Sequence, residues 1–499
     1  MGSSPPVRPR HRARMNQAAY SCATPALEEL TRRAREEIAL LAYPNRDWVR
    51  PASHASGRHV YNVVIVGAGQ AGLSIAFGLK REGVSNVLVL DARPAGREGV
   101  WEDFARMPTL RTPKATIGIE YGIPSLSAPA FYKARYGQAD WDAITRVERP
   151  RWAEFLRWFR HAAQIEVRNS TACLGMAPEG ELVAVRVHNQ AQGEAQTLLT
   201  RRLVLATGYD GCGAWGIPAA VSGSVAPQRY CHANGPIDFA ALKGKRIGLL
   251  GHGASAFDNA CALLEAGVAS VDLCFRREQI PLVNPHRCVE FAGFLRHFYE
   301  LDDALRWQVN RFFEVHAEPP TQNGFDRAHG HANFRMHTGS PWNTLRDDEQ
   351  QVHVTTPKAQ FTFDYLVCAT GSVVDYSARP ELRVLGPLVQ RWRHRYTPPA
   401  HDTSEMLGEY PYLGPGFEYQ PLRPEDAWVG RVHAFNFSSV LSMGPHTTSS
   451  SGHKYAVPRL VAGLTQAFMR EQADAVMPTL HDYDFAELDT RGAATPLAA

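Results

Sequence analysis

The sequence of 499 residues is long enough for two or three folded domains, and its 44% hydrophobic and 21% charged residues are usual for a globular enzyme. Because 53 basic side chains against 50 acidic ones leave a formal charge of only +3, we expect no concentrated basic surface for a nucleic acid. No apolar run is long enough to span a bilayer, so we expect a cytoplasmic protein with neither a nucleic acid nor a membrane as partner.

The chain starts with a basic stretch and a helix. The alternating arginines of residues 8–14 stand among prolines and serines with no apolar run behind them, which predicts a disordered tail rather than an export signal. Met15 is a second possible start, and the sequence leaves this open. Apolar residues at helical spacing predict an amphipathic helix over Ala26–Leu41, ended by Pro44.

A strand, a glycine turn, a helix and a second strand follow within about thirty residues, which is typical of a βαβ unit. The predicted strands are Val63–Val66 and Val87–Leu90, and the helical run between them extends to Leu79. The turn has the spacing of a dinucleotide-binding fingerprint, which needs glycine for the tight turn, for the approach of the pyrophosphate and for helix–strand packing. Its predicted cofactor-binding residues are Gly67, Ala68, Gly69, Gln70 and Gly72.

Asp91 directly follows the second strand, 24 positions after Gly67. This is the place where such units carry an acidic residue that accepts the ribose hydroxyls, and an acid there suits FAD. A structural glycine turn would leave Asp91 unexplained. The first unit is therefore predicted to bind FAD.

A less regular region separates this unit from a second one. It contains a predicted helix over Trp152–Ala163, alternating strands from Glu166 to Val187 and a buried strand over Leu203–Leu205. The second βαβ unit then comprises strands Arg246–Leu250 and Val271–Phe275, with a helical run between them.

The second glycine turn has alanine in place of the third glycine, which the fingerprint allows. Its predicted cofactor-binding residues are Gly251, Gly253, Ala254 and Ser255. Arg276 and Arg277 occupy the place of Asp91, and a guanidinium holds a 2′-phosphate that a carboxylate would repel. An exposed arginine pair at a strand end is the alternative, but this position favours NADPH.

The segment from residue 281 to 342 is dense in histidine, asparagine and aromatic residues. We expect part of a substrate pocket here, since imidazoles and amides bind polar organic molecules, although a structural role fits as well. The spacing lacks the pattern of metal ligands, so no metal is predicted. The predicted substrate residues are Asn284, His331, Asn333 and, in the glycine- and serine-rich loop before the last helix, His446. That helix is predicted over Tyr455–Met469.

Two near-identical motifs, Leu203–Gly208 and Leu366–Gly371, join a buried strand to an Ala-Thr-Gly turn. With the two glycine turns they resemble the class B flavoprotein monooxygenases, which comprise flavin-containing monooxygenases, Baeyer–Villiger monooxygenases and amino-acid N-hydroxylases. Trp101 resembles that family's GxxxW element, and Met107–Thr112 its segment along the flavin. The resemblance extends over about residues 59–470 and adds these cofactor-binding residues: Trp101, Leu110, Gly208, Thr370 and Gly371.

The resemblance also implies candidate catalytic residues and a role for the last helix. His232 stands where the family has a linker histidine, although Gly223 precedes it by nine residues rather than three. Arg111 lies in the segment expected beside the flavin. The last helix is expected to point its positive end at the flavin ring.

The predicted fold is α/β, with two Rossmann-type dinucleotide-binding domains and an FAD domain that is discontinuous in sequence. The predicted division is 1–58 for the tail and first helix, 59–240 and 366–480 for the FAD domain, 241–365 for the NADPH domain with the candidate substrate region, and 481–499 for the C-terminal tail.

The predicted function is that of an NADPH-dependent FAD monooxygenase that inserts one oxygen atom of O2 into a small polar substrate through a C4a-(hydro)peroxyflavin. N-hydroxylation, or hydroxylation of a nitrogenous heterocycle such as a purine, is favoured. Baeyer–Villiger or S-oxygenation, and a flavin reductase that serves a partner protein, are the alternatives. None of the eight cysteines forms a CxxC pair, which argues against a disulfide reductase. The sequence does not decide whether the chain forms a homo-oligomer.

Overall fold

The computed structural model describes residues 24–41, 46–116 and 118–489. The basic stretch, Met15, Cys22 and Pro44 lie outside the described residues. The helices are α1 (Pro25–Leu40), α2 (Gln70–Arg81), α3 (Ala128–Tyr136), α4 (Gln138–Ala143), α5 (Arg149–Ala162), α6 (Ala219–Ser222), α7 (Ala254–Glu265), α8 (Ala292–His297), α9 (Asp303–His316), α10 (Gln322–His329), α11 (Glu405–Gly408), α12 (Val440–Met443), α13 (His453–Glu471) and α14 (Val476–His481).

The strands are β1 (Val60–Val66), β2 (Val87–Leu90), β3 (Val167–Arg168), β4 (Thr171–Glu179), β5 (Leu182–Asn189), β6 (Glu194–Gly208), β7 (Gly213–Trp215), β8 (Tyr230–His232), β9 (Arg246–Leu250), β10 (Ser270–Cys274), β11 (Phe334–His337), β12 (Thr344–Asp347), β13 (Val352–Thr355), β14 (Gln360–Phe363), β15 (Tyr365–Cys368), β16 (Ser372–Val374) and β17 (Val432–Asn436).

The first domain is built on a sheet in the order β3-β2-β1-β6-β5-β4, to which β17 adds beside β6. β1, β2, β3, the second half of β6 and β17 run parallel. β4 pairs antiparallel with β5, and β5 pairs antiparallel with the first half of β6. Because β17 comes more than 200 residues after β6, the discontinuity that the sequence predicts for this domain is confirmed.

The second domain is a fully parallel sheet in the order β11-β10-β9-β15-β8. Such sheets are buried on both faces, which is why their strands read as continuous apolar runs such as Ile247–Leu250. The predicted α/β class with two Rossmann-type domains is therefore confirmed.

The predicted boundaries of this domain are wrong at both ends. β8 begins at Tyr230, eleven residues before the predicted start at 241, and β15 ends at Cys368 rather than at 365. Both strands are hydrogen-bonded into the second sheet, with Leu366 opposite Tyr230 and Cys368 opposite His232. Pairing between strands that lie more than 130 residues apart depends on long-range packing that the local pattern did not contain.

Helix α1 is also part of the first domain and not a separate tail element. Leu27, Leu30 and Ala34 are buried in the same apolar core as β1, α2 and α5. Thr31 accepts a hydrogen bond from Trp158 Nε1 at 3.0 Å, which fixes α1 against α5. Within the described residues, no helix combines the length and apolarity needed to cross a membrane.

The segment between β10 and β11 connects the two domains. After β10 it forms a 3₁₀ turn over Pro285–Val289 and then α8 and α9, which pack against α13, α12 and α11 of the first domain. Only α10 returns to pack on α7 of the second domain. The predicted substrate region is thus seated between the domains.

Candidate active site

The first glycine turn connects β1 to α2 at the carboxyl edge of the first sheet. Gly67 has φ +106°, and a Cβ there would overlap the carbonyl oxygen of Ala206. A Cβ on Gly72 would overlap the carbonyl oxygen of Gly67, so both positions require glycine. A Cβ on Gly69 would meet only the Cα of Gly99, at 3.6 Å. The backbone at Gly69 is therefore the part of the turn that remains open to a pyrophosphate.

Asp91 lies directly against this turn. It is 7% exposed, and its carboxylate oxygens accept hydrogen bonds from the backbone N–H groups of Ala68 and Arg93, each at 2.8 Å. Burial raises the pKa of Asp91. A carboxylate has about four lone-pair sites, so two are left for ribose hydroxyls. The remaining acceptor sites of Asp91 therefore suit the ribose hydroxyls of FAD.

Three further predicted FAD residues, Gln70, Trp101 and Leu110, belong to the first domain. Trp152 donates its Nε1–H to Gln70 Oε1 at 3.3 Å, and its ring meets that of Trp101 edge-on at 6.3 Å between centroids. Leu110 is buried, with its N–H bonded to the carbonyl of Val147 at 2.8 Å. The structure therefore links Gln70 and Trp101 through Trp152, whereas Leu110 lies in the core of the first domain.

The second glycine turn, between β9 and α7, repeats the first. Gly251 has φ +136°, and a Cβ there would overlap the carbonyl oxygen of Ala369. A Cβ on Gly253 would meet nothing within 4 Å, which leaves its backbone open to a second pyrophosphate. The turn continues through Ala254 into Ser255, which donates to Asn234 Oδ1 at 3.3 Å.

The two arginines after β10 differ in their surroundings. Arg277 donates Nε–H to His252 Nε2 at 3.1 Å and also bonds to the carbonyl of Val315. Arg276 is exposed, and its side chain has no hydrogen bond or ion pair to any residue that the structure describes. Arg276 is therefore the guanidinium that is available to a 2′-phosphate.

The two Ala-Thr-Gly turns lie at the carboxyl edges of the two sheets and are joined by the antiparallel ribbon of β7 and β16. Gly208 and Gly371 have φ of +78° and +79°, a region that favours glycine. Thr370 bonds through Oγ1 to the carbonyl of Gly216, and Gly371 accepts from the Gly216 N–H at 2.8 Å. The ribbon thus fixes the carboxyl edge of one sheet against the carboxyl edge of the other.

His232 ends β8, beside the second of these turns. Its ring stacks on Trp215 at 4.9 Å, and its Nδ1 accepts from the N–H of Asn234 at 3.1 Å. Burial lowers its pKa to about 4, and its buried Nε2 has no partner among the described residues. His232 is therefore a neutral imidazole at neutral pH. Its catalytic role stays a prediction.

Arg111 connects the two domains. Its guanidinium lies 2.8 Å from the buried Asp258 carboxylate on α7, while its carbonyl accepts from Arg287 in the 3₁₀ turn at 2.8 Å. Its Nε is buried without a partner in the described part of the chain. The structure supports a bridging role, and its predicted catalytic role stays open.

Of the four predicted substrate residues, the structure brings two together. Asn284 Oδ1 accepts from the N–H of His286 at 3.0 Å and so caps the 3₁₀ turn, and His446 approaches the carbonyl of His286 with Nε2 at 3.2 Å. His446 also belongs to the loop that precedes α13, which contacts the flavin segment through a hydrogen bond from Ser450 to Thr112 at 3.1 Å.

His331 and Asn333 are wrongly grouped with these two. They precede β11, whose Phe334 lies opposite Val271, so they are at the amino edge of a parallel sheet whose glycine turn is at the carboxyl edge. Asn333 donates to the carbonyls of Val268 and Ala269 there. The density of histidine in the sequence suggested one cluster. In the structure, His331 and Asn333 lie before β11, at the amino edge of the second sheet, away from Asn284 and His446.

The residues around His446 include a carboxylate that was not predicted from the sequence. Glu290 Oε1 lies 3.8 Å from its Nδ1 and accepts from Ser451 Oγ at 3.2 Å, while Glu290 Oε2 lies 2.6 Å from Arg287. His286 stacks on Phe313 at 4.0 Å, and burial lowers its pKa to about 4. The only sequence signal for this cluster is the presence of four polar residues, Asn284, His286, Arg287 and Glu290, within seven positions.

Beside this cluster lies a small cavity of about 10 Å³, which has room for no more than one water molecule. Its lining residues are Phe294, Leu295, Met443, Gly444, Pro445, His446, Thr447 and Gly452. Within the described residues no group of histidine, cysteine and carboxylate side chains has a metal-binding arrangement.

Comparison with known proteins agrees with this architecture. Residues 61–374 match the sequence profile of the pyridine nucleotide-disulphide oxidoreductases. An FAD-dependent urate hydroxylase of Xanthomonas campestris pv. campestris is 42% identical over 463 residues, 93% of this chain and 97% of that protein. An ornithine hydroxylase of Pseudomonas aeruginosa (TM-score 0.65, 18% identical) and an L-lysine 6-monooxygenase of Pseudomonas syringae (0.60, 16%) each match 82% of this chain and 99% of their own. At these identities the structural likeness shows a shared fold.

Proposed function

This chain belongs to the pyridine nucleotide-disulphide oxidoreductase family and, within it, to the class B flavoprotein monooxygenases, and we propose that the substrate it hydroxylates is urate. The observation that carries the proposal is the 42% identity to a urate hydroxylase over 93% of this chain. The fold alone does not decide the substrate, because enzymes that act on ornithine and lysine share it at 16–18% identity.

The chain is an FAD- and NADPH-dependent oxidoreductase, and its residues fit both cofactors. The open backbone at Gly69 and the carboxylate of Asp91 would hold FAD, and the open backbone at Gly253 with the unpaired Arg276 would hold NADPH. Bound FAD supplies the redox chemistry, which is the uptake of hydride from NADPH and the transfer of one oxygen atom of O2. The overall balance is substrate–H, O2, NADPH and a proton giving substrate–OH, NADP⁺ and water.

The protein itself contributes binding, orientation and the exclusion of water. Burial lowers the pKa values of His286 and His446, so both are neutral imidazoles at neutral pH. Neutral imidazoles both donate and accept hydrogen bonds, and the N–H and C=O groups of a purine need both kinds of partner.

The same cofactor requirements support a cytoplasmic location. The cysteines of the described residues are all free thiols, and NADPH-driven reduction belongs to the same reducing compartment. The absence of a paired thiol in that part of the chain also leaves no dithiol centre for a disulfide reductase.

The test is turnover with isotopically labelled O2. We expect the purified holoenzyme to oxidise NADPH faster when urate is added and to convert urate to a hydroxylated product that carries one labelled oxygen atom. Xanthine serves as the matched control substrate. Urate-independent NADPH oxidation with rapid reduction of an artificial electron acceptor would instead support a reductase, and product from a ketone or thioether but not from urate would support Baeyer–Villiger or S-oxygenation.

A further inference from the structure

The residue that follows the first Ala-Thr-Gly turn is an aromatic side chain that the rest of the protein covers only in part. Tyr209 is 47% exposed, although it directly follows Gly208 at the carboxyl edge of the first sheet. Phe437 packs against its ring, with centroids 4.1 Å apart and planes inclined by 30°. A distance this short places Phe437 against one face of the ring, so the exposed surface lies elsewhere on the Tyr209 side chain.

Tyr209 belongs to a row of aromatic side chains that extends from one sheet to the other. Trp215, in the ribbon of β7 and β16, lies nearly parallel to Tyr209, with 6.4 Å between centroids and 16° between planes. The next ring is that of His232, at 4.9 Å from Trp215 and inclined by 10°. Because His232 ends β8, the row connects the carboxyl edges of both sheets, where α/β proteins bind their ligands.

The surroundings of Tyr209 include charged groups from two other segments. Burial raises the pKa of Tyr209 to about 12, Glu318 acts in the same direction, and Arg111 acts in the opposite one. A tyrosine that is half exposed and whose pKa is nevertheless raised by burial lines a concave surface. Glu318 Oε1 lies 3.1 Å from His286 Nε2, so this surface extends to the 3₁₀ turn that Asn284 caps.

The ligand that suits these surroundings is a flat ring rich in nitrogen. Its face would stack on Tyr209, while its edge would meet the Arg111 guanidinium, which only donates hydrogen bonds, and the Glu318 carboxylate, which only accepts them. The isoalloxazine of FAD, the nicotinamide of NADPH and the purine of the proposed substrate are all rings of this class. Residues 284–318 contain the predicted substrate residue Asn284 and none of the predicted nucleotide-binding residues, which favours the purine.

We propose that Tyr209 is the platform on which the purine ring of the substrate stacks, and that it thereby selects flat substrates. The inference rests on the proposed function, since it takes urate as the substrate. Stacking on an aromatic side chain requires a π face but tolerates different substituents. An aliphatic substrate, such as the ornithine of the similarly folded hydroxylase, would gain nothing from this contact. Tyr209 therefore acts through binding and orientation, and it transfers no proton.

The direct test replaces Tyr209 with leucine, which retains an apolar contact for Phe437 but removes the π face. Stacking of a base on an aromatic side chain is worth about 5- to 100-fold in affinity. We expect the dissociation constant of urate, measured by calorimetry on the oxidised holoenzyme, to rise by a factor in this range. Tyr209→Phe retains the ring and should stay within about threefold of the wild type. FAD content and melting temperature report whether each variant is folded.

A second variant tests the same contact without removing the ring. Tyr209→Trp retains an aromatic face, so it should still bind urate, and urate should quench the tryptophan emission that this variant has in excess of the wild type. The matched control is Tyr483→Leu, which replaces a tyrosine that is 66% exposed and follows α14. Its affinity for urate should equal that of the wild type.

The three flat rings are distinguished by which affinity the leucine variant loses. Lower FAD content or an altered flavin absorbance spectrum with unchanged urate affinity would assign the platform to the isoalloxazine. A rise confined to KM for NADPH would assign it to the nicotinamide. Either result would overturn the inference, as would wild-type urate affinity in folded Tyr209→Leu or an equal loss in Tyr209→Phe. A wild-type enzyme that does not hydroxylate urate would overturn the proposed function instead.

Discussion

Arg276 is the residue on which the choice of NADPH depends. Charge-assisted hydrogen bonds are each worth about 1.5–3 kcal/mol, so Arg276→Ala should raise KM for NADPH about 10- to 100-fold. KM for NADH should hardly change, because NADH lacks the 2′-phosphate. Arg335→Ala, on the neighbouring strand β11, is the matched control. Equal effects on both coenzymes would remove Arg276 from the phosphate site.

At the scale of whole elements, the sequence predicted what depends on local pattern. The bounds of β2 and β9 were correct to the residue because each is a short apolar run bounded by polar or small residues. The two glycine turns were correct because backbone clearance at Gly67 and Gly251 leaves no other residue type. Pairing was not predictable in the same way, and β8 was missed because three residues beside β15 carry no periodic signal.

The candidate site followed the same division. Nucleotide-binding residues were predictable, since the fingerprint specifies both residue types and spacing. The pairing of His446 with Glu290 was not, since the two residues are 156 positions apart and meet only because α8 packs against α13. Conversely, His331 was grouped with the site because it is near Asn284 in the sequence, although it lies at the amino edge of the second sheet.

The two glycines of the second turn have different roles, so replacing each of them with alanine should cause a different defect. Gly253→Ala should fold and bind FAD normally, because the new Cβ meets nothing within 4 Å, yet it should raise KM for NADPH more than about tenfold by blocking the pyrophosphate. Gly251→Ala should instead lower the melting temperature, because its Cβ would overlap Ala369 at a φ of +136°. Thermal unfolding and coenzyme kinetics measure the contrast. Similar stability losses in both variants would contradict it.

At the scale of the whole molecule, the chemistry requires the two nucleotide domains to keep one relative orientation. Arg111 of the first domain and Asp258 on α7 of the second form an ion pair at 2.8 Å, with the Asp258 side chain 5% exposed. Arg106 adds bonds from the first domain to the carbonyls of Ala233 and Gly235, the latter at 2.8 Å. These contacts reach α7 and the segment between β8 and β9 of the second domain and fix both against the flavin segment.

Breaking this ion pair should therefore slow the transfer of hydride without removing FAD. In Asp258→Asn we expect the rate of flavin bleaching by NADPH, measured anaerobically, to fall about tenfold. The free energy of unfolding should fall by only about 1–3 kcal/mol, because the Arg111 side chain is 37% exposed and its guanidinium regains water when the ion pair is lost. If Arg111 acts only as a bridge, Arg111→Gln should reproduce both effects and the double variant should add little to either, since the pair acts as one unit. If Arg111 is also catalytic, as its place beside the flavin segment suggested, Arg111→Gln should lose far more urate hydroxylation than Asp258→Asn at equal bleaching rates. The double-mutant cycle thus assigns Arg111 to domain orientation or to the chemistry itself.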